Sequence, residues 1–366
     1  MIIERISILN FKNIDEAEMS FSPKMNCLFG DNGMGKTNLL DALHYLSFTK
    51  NYTNLSDSQL IKHDRDFVVL QGFYKDGEES EEIYCGIRRK QKKVFKRNKK
   101  EYERLSEHIG LIPGVMISPA DTDLIQGGSE ERRKFVDMLI CQYDKEYMQA
   151  LIQYNKALQQ RNVLLRNALM PDESLFEIWE EQMSMHGEII YQKRKAFIED
   201  FLPVFKKYYS IIGSDEESVE LQYESQLENA PLMQLLSGKR ERDKILGYTA
   251  SGVHKDDFNF LLADYLIRKI GSQGQNKTYL IALKLAQFRI LVQRSSSVPI
   301  LLLDDLFDKL DAKRVEKIIQ LVAQPEFGQI FITDTNRKYL DEILARMQHD
   351  YKLFQVSNGA IQESGQ

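Results

Sequence analysis

Eight consecutive residues constrain this chain more than any other part of it. Gly30-Asp31-Asn32-Gly33-Met34-Gly35-Lys36-Thr37 fits GxxxxGK[ST] at every position. The run follows a short apolar stretch, Met25 to Phe29, and precedes a helical pattern that starts at about Lys36. Strand, glycine loop and helix in that order make a phosphate-binding loop: Gly33 and Gly35 let backbone N–H groups close around phosphate oxygens, and the helix N-terminus adds partial positive charge. Lys36 is expected to reach the β and γ phosphates of ATP and Thr37 to ligate Mg²⁺, with Gly30, Asp31, Asn32, Met34 and Asn38 lining the loop. The plainer alternative is a chance glycine turn before a helix, against which the flanking strand and helix weigh.

Such a loop needs a second acid for the metal, and Pro299-Ile300-Leu301-Leu302-Leu303-Asp304-Asp305 supplies one at the end of an apolar run. Asp304 is expected to hold the Mg²⁺ shell through water, and Asp305 to orient or deprotonate an attacking water. Read alone, adjacent acids are also what a solvated strand end looks like. A third element, Gly271-Ser272-Gln273-Gly274-Gln275, opens a helix that continues through Leu280, Leu283 and Leu285. Alone it reads as an N-cap at Ser272 beside a flexible glycine.

Ile2 to Phe11, Glu16 to Phe21 and Met25 to Phe29 read as strands, and β-rich runs from Phe67 to about Arg104, broken at Asp76-Gly77, as an antiparallel meander. Ser129 to Tyr209 is rich in helix formers with a break at Met170-Pro171-Asp172. Leu151, Leu158 and Leu165 before the break, and Ile178 and Met185 after it, recur at seven residues and predict the seam of a helical hairpin. Arms of about 25 residues reach only ~40 Å. A polar stretch, Gly213 to Arg242, separates this lobe from the apolar strands Val298 to Leu303 and Gln329 to Thr333. Asn358-Gly359, inside Val356 to Ile361, is a two-residue hairpin turn.

The chain carries 49 lysines and arginines against 54 acids, a formal charge of −5, so any contact with nucleic acid must come from a local patch. One exists: Arg88, Arg89, Lys90, Lys92, Lys93, Lys96, Arg97, Lys99 and Lys100 place nine cations in thirteen residues without an acid. Arg88, Arg89, Lys92, Lys93, Lys96 and Arg97 are the candidate phosphate contacts; a solvated hairpin guarding a sheet edge is the alternative. Cys27, Cys85 and Cys141 lie far apart with no metal-binding spacing, which predicts reduced thiols and a cytoplasmic location. No apolar run approaches the ~20 residues that span a bilayer, and the first ten residues lack a signal-peptide layout.

In combination, the three nucleotide motifs resemble those of ABC-type ATPases, in which a Ser272-like serine contacts the γ-phosphate held by a second subunit. Asn10-Phe11-Lys12-Asn13, Ser251-Gly252-Val253-His254-Lys255-Asp256-Asp257-Phe258, Gly271 to Ala286, Asp304 to Arg314, and Ser129 to Asp137 with Arg132-Arg133 resemble, across the whole chain, the RecF family of bacterial DNA-repair proteins. That resemblance implies an α/β ABC-type head with an antiparallel β-subdomain, formed by residues 1–118 and 246–366, and an inserted helical lobe at 119–245. It implies nucleotide contacts from Lys12, Asn13, Ser272, Gly274 and Gln275, catalytic roles for Lys36, Asp305 and Ser272, slow hydrolysis, and an ATP-dependent homodimer on duplex DNA or a single-strand/double-strand junction. RecR and RecO are the implied partners in loading recombinase at gapped DNA.

Lys12 stands where the family more often has arginine, Val253 where it has proline, and Asp334 where it usually has threonine or serine. Asp305 replaces the usual ABC glutamate, a change the family shares. Asp308-Lys309-Leu310-Asp311 resembles a D-loop but also reads as a helix-start acid cluster. Gln126 is a candidate Q-loop glutamine, and His254 is either a packed residue or an interface or nucleotide-sensing one. A transporter's ATP-binding subunit is the main alternative, disfavoured because Thr37 and Ser272 lie more than two hundred residues apart; the short arms weigh against a structural SMC-like ATPase, and the chain ends too soon for an OLD-type nuclease.

Overall fold

The computed structural model describes residues 1–53, 55–167, 173–213, 217–306, 310–335, 344 and 350–364. Two compact units divide the chain, Met1–Asp121 with Leu283–Gln366, and Thr122–Ala282. The first begins with β1 (Ile2–Phe11), β2 (Ile14–Ser20), β3 (Met25–Phe29), α1 (Lys36–Phe48), β4 (Phe67–Asp76), β5 (Glu79–Arg88), β6 (Val94–Arg97), β7 (Lys100–Glu101) and β8 (Gly114–Ile117). Alternate residues of β1, β4 and β5 are apolar and buried, as in Ile6 and Ile8, Val68 and Leu70, and Ile83, Cys85 and Ile87. These strands form an antiparallel sheet in the order β2-β1-β4-β5-β6-β7, the meander expected from the sequence.

The second unit contains α2 (Thr122–Gln126), α3 (Ser129–Cys141), α4 (Lys145–Arg166), α5 (Glu173–Ile212), β9 (Val219–Glu224), α6 (Leu232–Gly238), α7 (Arg240–Leu246), β10 (Asp257–Leu262), β11 (Tyr265–Leu266), α8 (Ile267–Ile270) and the start of α9 (Gln273–Arg294). Its second boundary lies well beyond residue 246, because β10 is the centre of a three-stranded sheet, β11-β10-β9, that belongs with the helices. The break at Met170-Pro171-Asp172 lies outside the described residues.

The helical pair departs from the expected seam in its second arm; in the first, Leu165 is buried and Leu151 and Leu158 half-buried, as the seven-residue spacing predicts. α5 has 40 residues, so it spans ~60 Å. Ile178 and Met185 are each 52% exposed, while Tyr154, Ala157, Arg161 and Leu165 of α4 and Phe176, Glu180, Met183, Gly187 and Ile190 of α5 are buried. The inward face thus mixes aliphatic and aromatic residues with the charged Arg161 and Glu180. Arg161, fully buried, donates to Glu180 Oε1 at 3.0 Å, Asp243 Oδ2 at 2.8 Å and Thr249 Oγ1 at 2.8 Å. Arg194 donates to Asp256 Oδ2 at 3.0 Å, to the Val253 carbonyl at 2.8 Å and to Asp137 at 2.9 Å.

Back in the first unit, β12 (Ile300–Leu303), α10 (Ala312–Val322), β13 (Ile330–Asp334), β14 (Tyr351–Ser357) and β15 (Ala360–Ser364) complete a second sheet in the order β15-β14-β3-β13-β12-β8. All its pairings are parallel except β14 with β15. Continuous apolar strands such as Ile300 to Leu303 suit a sheet covered on both faces. α1 shares one apolar core with both sheets and is buried on nearly every side from Leu39 to Phe48, so the loop at its N-terminus starts from a fixed base. Gln329 ties the sheets together: its side chain accepts the Ile3 N–H at 2.8 Å and donates to the Ile3 and Ser22 carbonyls at 2.8 and 2.9 Å.

Candidate functional site

The carboxyl ends of parallel strands collect the polar residues of the first unit, the place where open α/β sheets bind ligands. β3 runs into the glycine loop and α1, β12 ends at Asp304 and Asp305, β13 at Thr333 and Asp334, and β8 at Ser118. Register sets them side by side, since Leu303 lies across from both Ile117 and Ile332, and Asp334 across from Phe29.

Within this group, Thr37 Oγ1 donates to the Asp304 carboxylate, 2.9 Å from Oδ1 and 3.0 Å from Oδ2. Thr333 Oγ1 also donates to Asp304 Oδ1 at 2.8 Å, and Ser118 Oγ stands 3.4 Å from Oδ2. Burial raises the Asp304 pKa, the Thr333 and Thr37 hydroxyls pull it down, and neighbouring Asp305 pushes it up again; the carboxyl ends above its usual range. Asp305 has φ 43°, a left-handed backbone uncommon outside glycine, and its N–H donates to Thr333 Oγ1 at 3.0 Å. One hydroxyl therefore bridges both acids. Lys36 Nζ lies across the loop, donating to the Gly30 and Asp31 carbonyls at 2.8 and 3.1 Å.

Asn13 meets the loop directly: its amide donates to the Met34 carbonyl at 3.1 Å and accepts from Asn38 Nδ2 at 2.7 Å. Lys12 pairs instead with Asp41 of α1. Asp31 and Asn32 are exposed, and Asp334 is buried at the end of β13. Ser118 and Thr333, which sequence patterns do not single out, join Thr37 around Asp304. Among the described residues no three His, Cys, Asp or Glu side chains converge on a metal site. The hard oxygens of Thr37 and Asp304 nevertheless fit Mg²⁺, which uses one or two carboxylates and otherwise keeps water and phosphate ligands.

Residues 2–362 match the domain described as RecF/RecN/SMC N terminal domain. Over 365 residues the chain is 71% identical to the DNA replication and repair protein RecF of Azobacteroides pseudotrichonymphae genomovar. CFP2, covering 99% of this chain and 100% of that one. The chain belongs to the RecF family. It is 62% identical to RecF of Parabacteroides distasonis (strain ATCC 8503 / DSM 20701 / CIP 104284 / JCM 5825 / NCTC 11152), with 99% of each chain covered. The solved "Structure of the recombination mediator protein RecF-ATP in RecFOR pathway" matches with a TM-score of 0.89 at 29% identity, over 100% of this chain and 98% of that one. The α/β head fold expected from the motifs is thus the family's own.

The other residues expected from the RecF resemblance belong partly to the second unit. Ser272 caps α9 reciprocally: its N–H donates to Gln275 Oε1 at 2.8 Å and its Oγ accepts the Gln275 N–H at 3.2 Å. Gln275 also donates to Glu217 at 2.7 Å, while the Gly274 carbonyl accepts from Thr278 at 2.9 Å. Gln126 is exposed at the end of α2. His254 is packed: its ring bonds Tyr154 OH at 2.7 Å and the Thr249 carbonyl at 3.0 Å, and burial lowers its pKa to about 4. Arg132 grips Asp257 through two bonds of 2.8 and 3.0 Å. Asp308 and Lys309 lie outside the described residues; Asp311 caps α10, accepting the Arg314 N–H at 2.9 Å.

The cationic run occupies the β5–β6–β7 edge of the antiparallel sheet and divides in two. Arg88, Arg89, Lys90, Lys92, Lys99 and Lys100 are exposed. Lys93 is turned inward, donating to Tyr45 OH at 2.9 Å and the Thr49 carbonyl at 2.6 Å and lying 3.2 Å from Asp57. Arg97 forks onto Glu81, and Lys96 lies 5.7 Å over the Tyr84 ring. Lys93 and Arg97, two of the six candidate phosphate contacts, are thus already occupied. No described helix is long and apolar enough to cross a membrane.

Proposed function

We propose that this chain is an ATP-dependent recombination mediator of the RecF type, which binds ATP in the Gly30–Thr37 loop, closes as a homodimer on DNA and hydrolyses ATP slowly. The observation that carries the reading is the Thr37–Asp304 pair at the foot of a GxxxxGK[ST] loop, in a family with a solved relative described as RecF-ATP. Mg²⁺, when bound, neutralises charge across the β and γ phosphates. Thr37 and Asp304 would hold it, Lys36 would move from the loop carbonyls to the phosphates, and Asp305 would orient the attacking water. Asn13 and Asn38 support the loop. Ser272, Gly274 and Gln275 would face the nucleotide of a second copy.

DNA contact is assigned to the exposed cations of the run, Arg88, Arg89, Lys90, Lys92, Lys99 and Lys100, because the chain as a whole is acidic. A duplex or a junction is the proposed target, with RecR and RecO as partner proteins. The test is the mass of the full chain in solution, measured without ligand, with Mg-ATP, and with Mg-ATP plus duplex DNA. Doubling that requires ATP and is strengthened by DNA is expected. A chain that binds no ATP, or whose mass ignores it, would overturn the proposal.

A further inference from the structure

Two turns from opposite ends of the chain grip the glycine loop. The Met34 carbonyl accepts the Gly359 N–H at 2.8 Å and the Asn13 amide at 3.1 Å, and the Asn358 N–H lies 3.3 Å from Met34 Sδ. Asn358 and Gly359, with φ of 49° and 81°, form the tight turn between β14 and β15. The approach leaves no room for a side chain: a Cβ on Gly359 would stand 2.3 Å from the Asn13 carbonyl oxygen, a backbone atom that cannot swing aside. The same hairpin presses on the other end of the loop, where a Cβ on Gly30 would stand 2.3 Å from the Val356 carbonyl oxygen.

The peptide joining Met34 to Gly35 is planar and trans, so its N–H points opposite to its carbonyl. Two donors that fix the Met34 carbonyl therefore fix the direction of the Gly35 N–H, one of the donors a phosphate-binding loop offers. We infer that the Asn358–Gly359 turn is a positioning element of the phosphate loop and sets its affinity for a nucleoside triphosphate. This rests on the nucleotide reading given above. The turn acts through Met34 and Asn13 and needs no contact with the ligand itself.

The test titrates the full chain with fluorescently labelled Mg-ATP, comparing wild type, Gly359→Ala and Gly77→Ala. Gly77, in the β4–β5 turn, also has positive φ, 63°, but a Cβ there would meet nothing within 4 Å, so its substitution carries backbone strain alone. Gly359→Ala is expected to weaken ATP binding about tenfold or more, and Gly77→Ala to stay within roughly twofold. Wild-type affinity in a folded Gly359→Ala overturns the inference.

If that variant fails to fold, hydrogen exchange on the wild-type chain decides. Coupling is reciprocal, so ATP must slow exchange at 357–360 as well as at 30–37. Protection of 30–37 with no change at 357–360 overturns the inference while leaving the nucleotide reading intact. No protection at either segment removes the nucleotide reading, and the inference with it.

Discussion

Thr37 and Asp304, 267 residues apart in sequence, are joined by a hydroxyl–carboxylate contact of 2.9 Å. The bond gives the buried acid a donor, and Thr333 supplies a second donor at 2.8 Å. Burial raises the pKa of that acid, and the Thr333 and Thr37 hydroxyls offset part of the rise by bonding its charged form.

Lys36→Ala should abolish ATP binding in a folded chain, because the lysine's own bonds are to loop carbonyls at 2.8 and 3.1 Å and little else depends on them. Asp305→Asn should keep binding and lose turnover by ~10²-fold or more. Equilibrium binding and a coupled ATPase assay measure the two separately. An Asp305→Asn chain that hydrolyses at the wild-type rate would refute the role given to that acid.

DNA affinity should divide along the line the structure draws through the cationic run. Replacing Arg88, Lys90 and Lys92 with glutamine should lower the slope of log K against log salt by ~0.9 for each phosphate the variant no longer neutralises. Lys93→Gln should act on stability instead, since that ammonium is committed to Tyr45, Thr49 and Asp57. Salt titrations with ATP present check both; an unchanged slope in the triple variant moves the DNA surface elsewhere.

If each site combines Lys36 of one copy with Ser272 of the other, Ser272→Arg and Lys36→Ala should each fail to close alone. Mixed, they can form a heterodimer with one intact site, and some ATP-dependent association should return. Association is the measurement, because turnover could require two good sites. Normal dimerisation and hydrolysis by Ser272→Arg alone would leave that serine as the helix cap its bonds to Gln275 describe.

Stability should fall as the pH drops below about 6.5. Burial lowers the pKa of both His44 and His254 from 6.5 to about 4, so the unfolded chain takes up protons first and the stability present above 6.5 is lost toward 4. Each histidine contributes a slope of roughly 1.4 kcal/mol per pH unit in that window. Asp304 and Asp256, raised by burial, act in the opposite sense. Urea unfolding at pH 7.5 and 5.5 should therefore show a shallower dependence in His254→Gln than in wild type; equal slopes would show that the ring titrates normally.

The parts of this fold legible in the sequence are those written locally. The strand before Gly30, the apolar run into Asp304 and the Asn358-Gly359 turn each declare themselves within ten residues. The second arm of the hairpin seam does not, because heptad spacing selects Ile178 and Met185 while its inward face is Phe176, Glu180, Met183, Gly187 and Ile190, with Glu180 held by Arg161. β9 is hidden inside a polar stretch although Val219, Leu221 and Tyr223 alternate with polar neighbours. Ser118 and Thr333 are ordinary hydroxyls until strand register brings them to Asp304. Lys93 and Arg97 look available in the sequence because their partners, Asp57 and Glu81, are distant along the chain or lie across a strand pair.

Two of the buried arginines of the helical unit, Arg161 and Arg194, have a mechanical consequence. Ion pairs in an apolar interior add little net stability, but removing one partner strands the other at a cost of about 3–5 kcal/mol. Sliding α4 past α5 by one turn would part Arg161 from Glu180, much as shifting α5 would part Arg194 from Asp137 and Asp256. The Arg161–Glu180 pair thus penalises slippage between the two helices, and the Arg194 pairs penalise movement of α5 against the segments that hold Asp137 and Asp256.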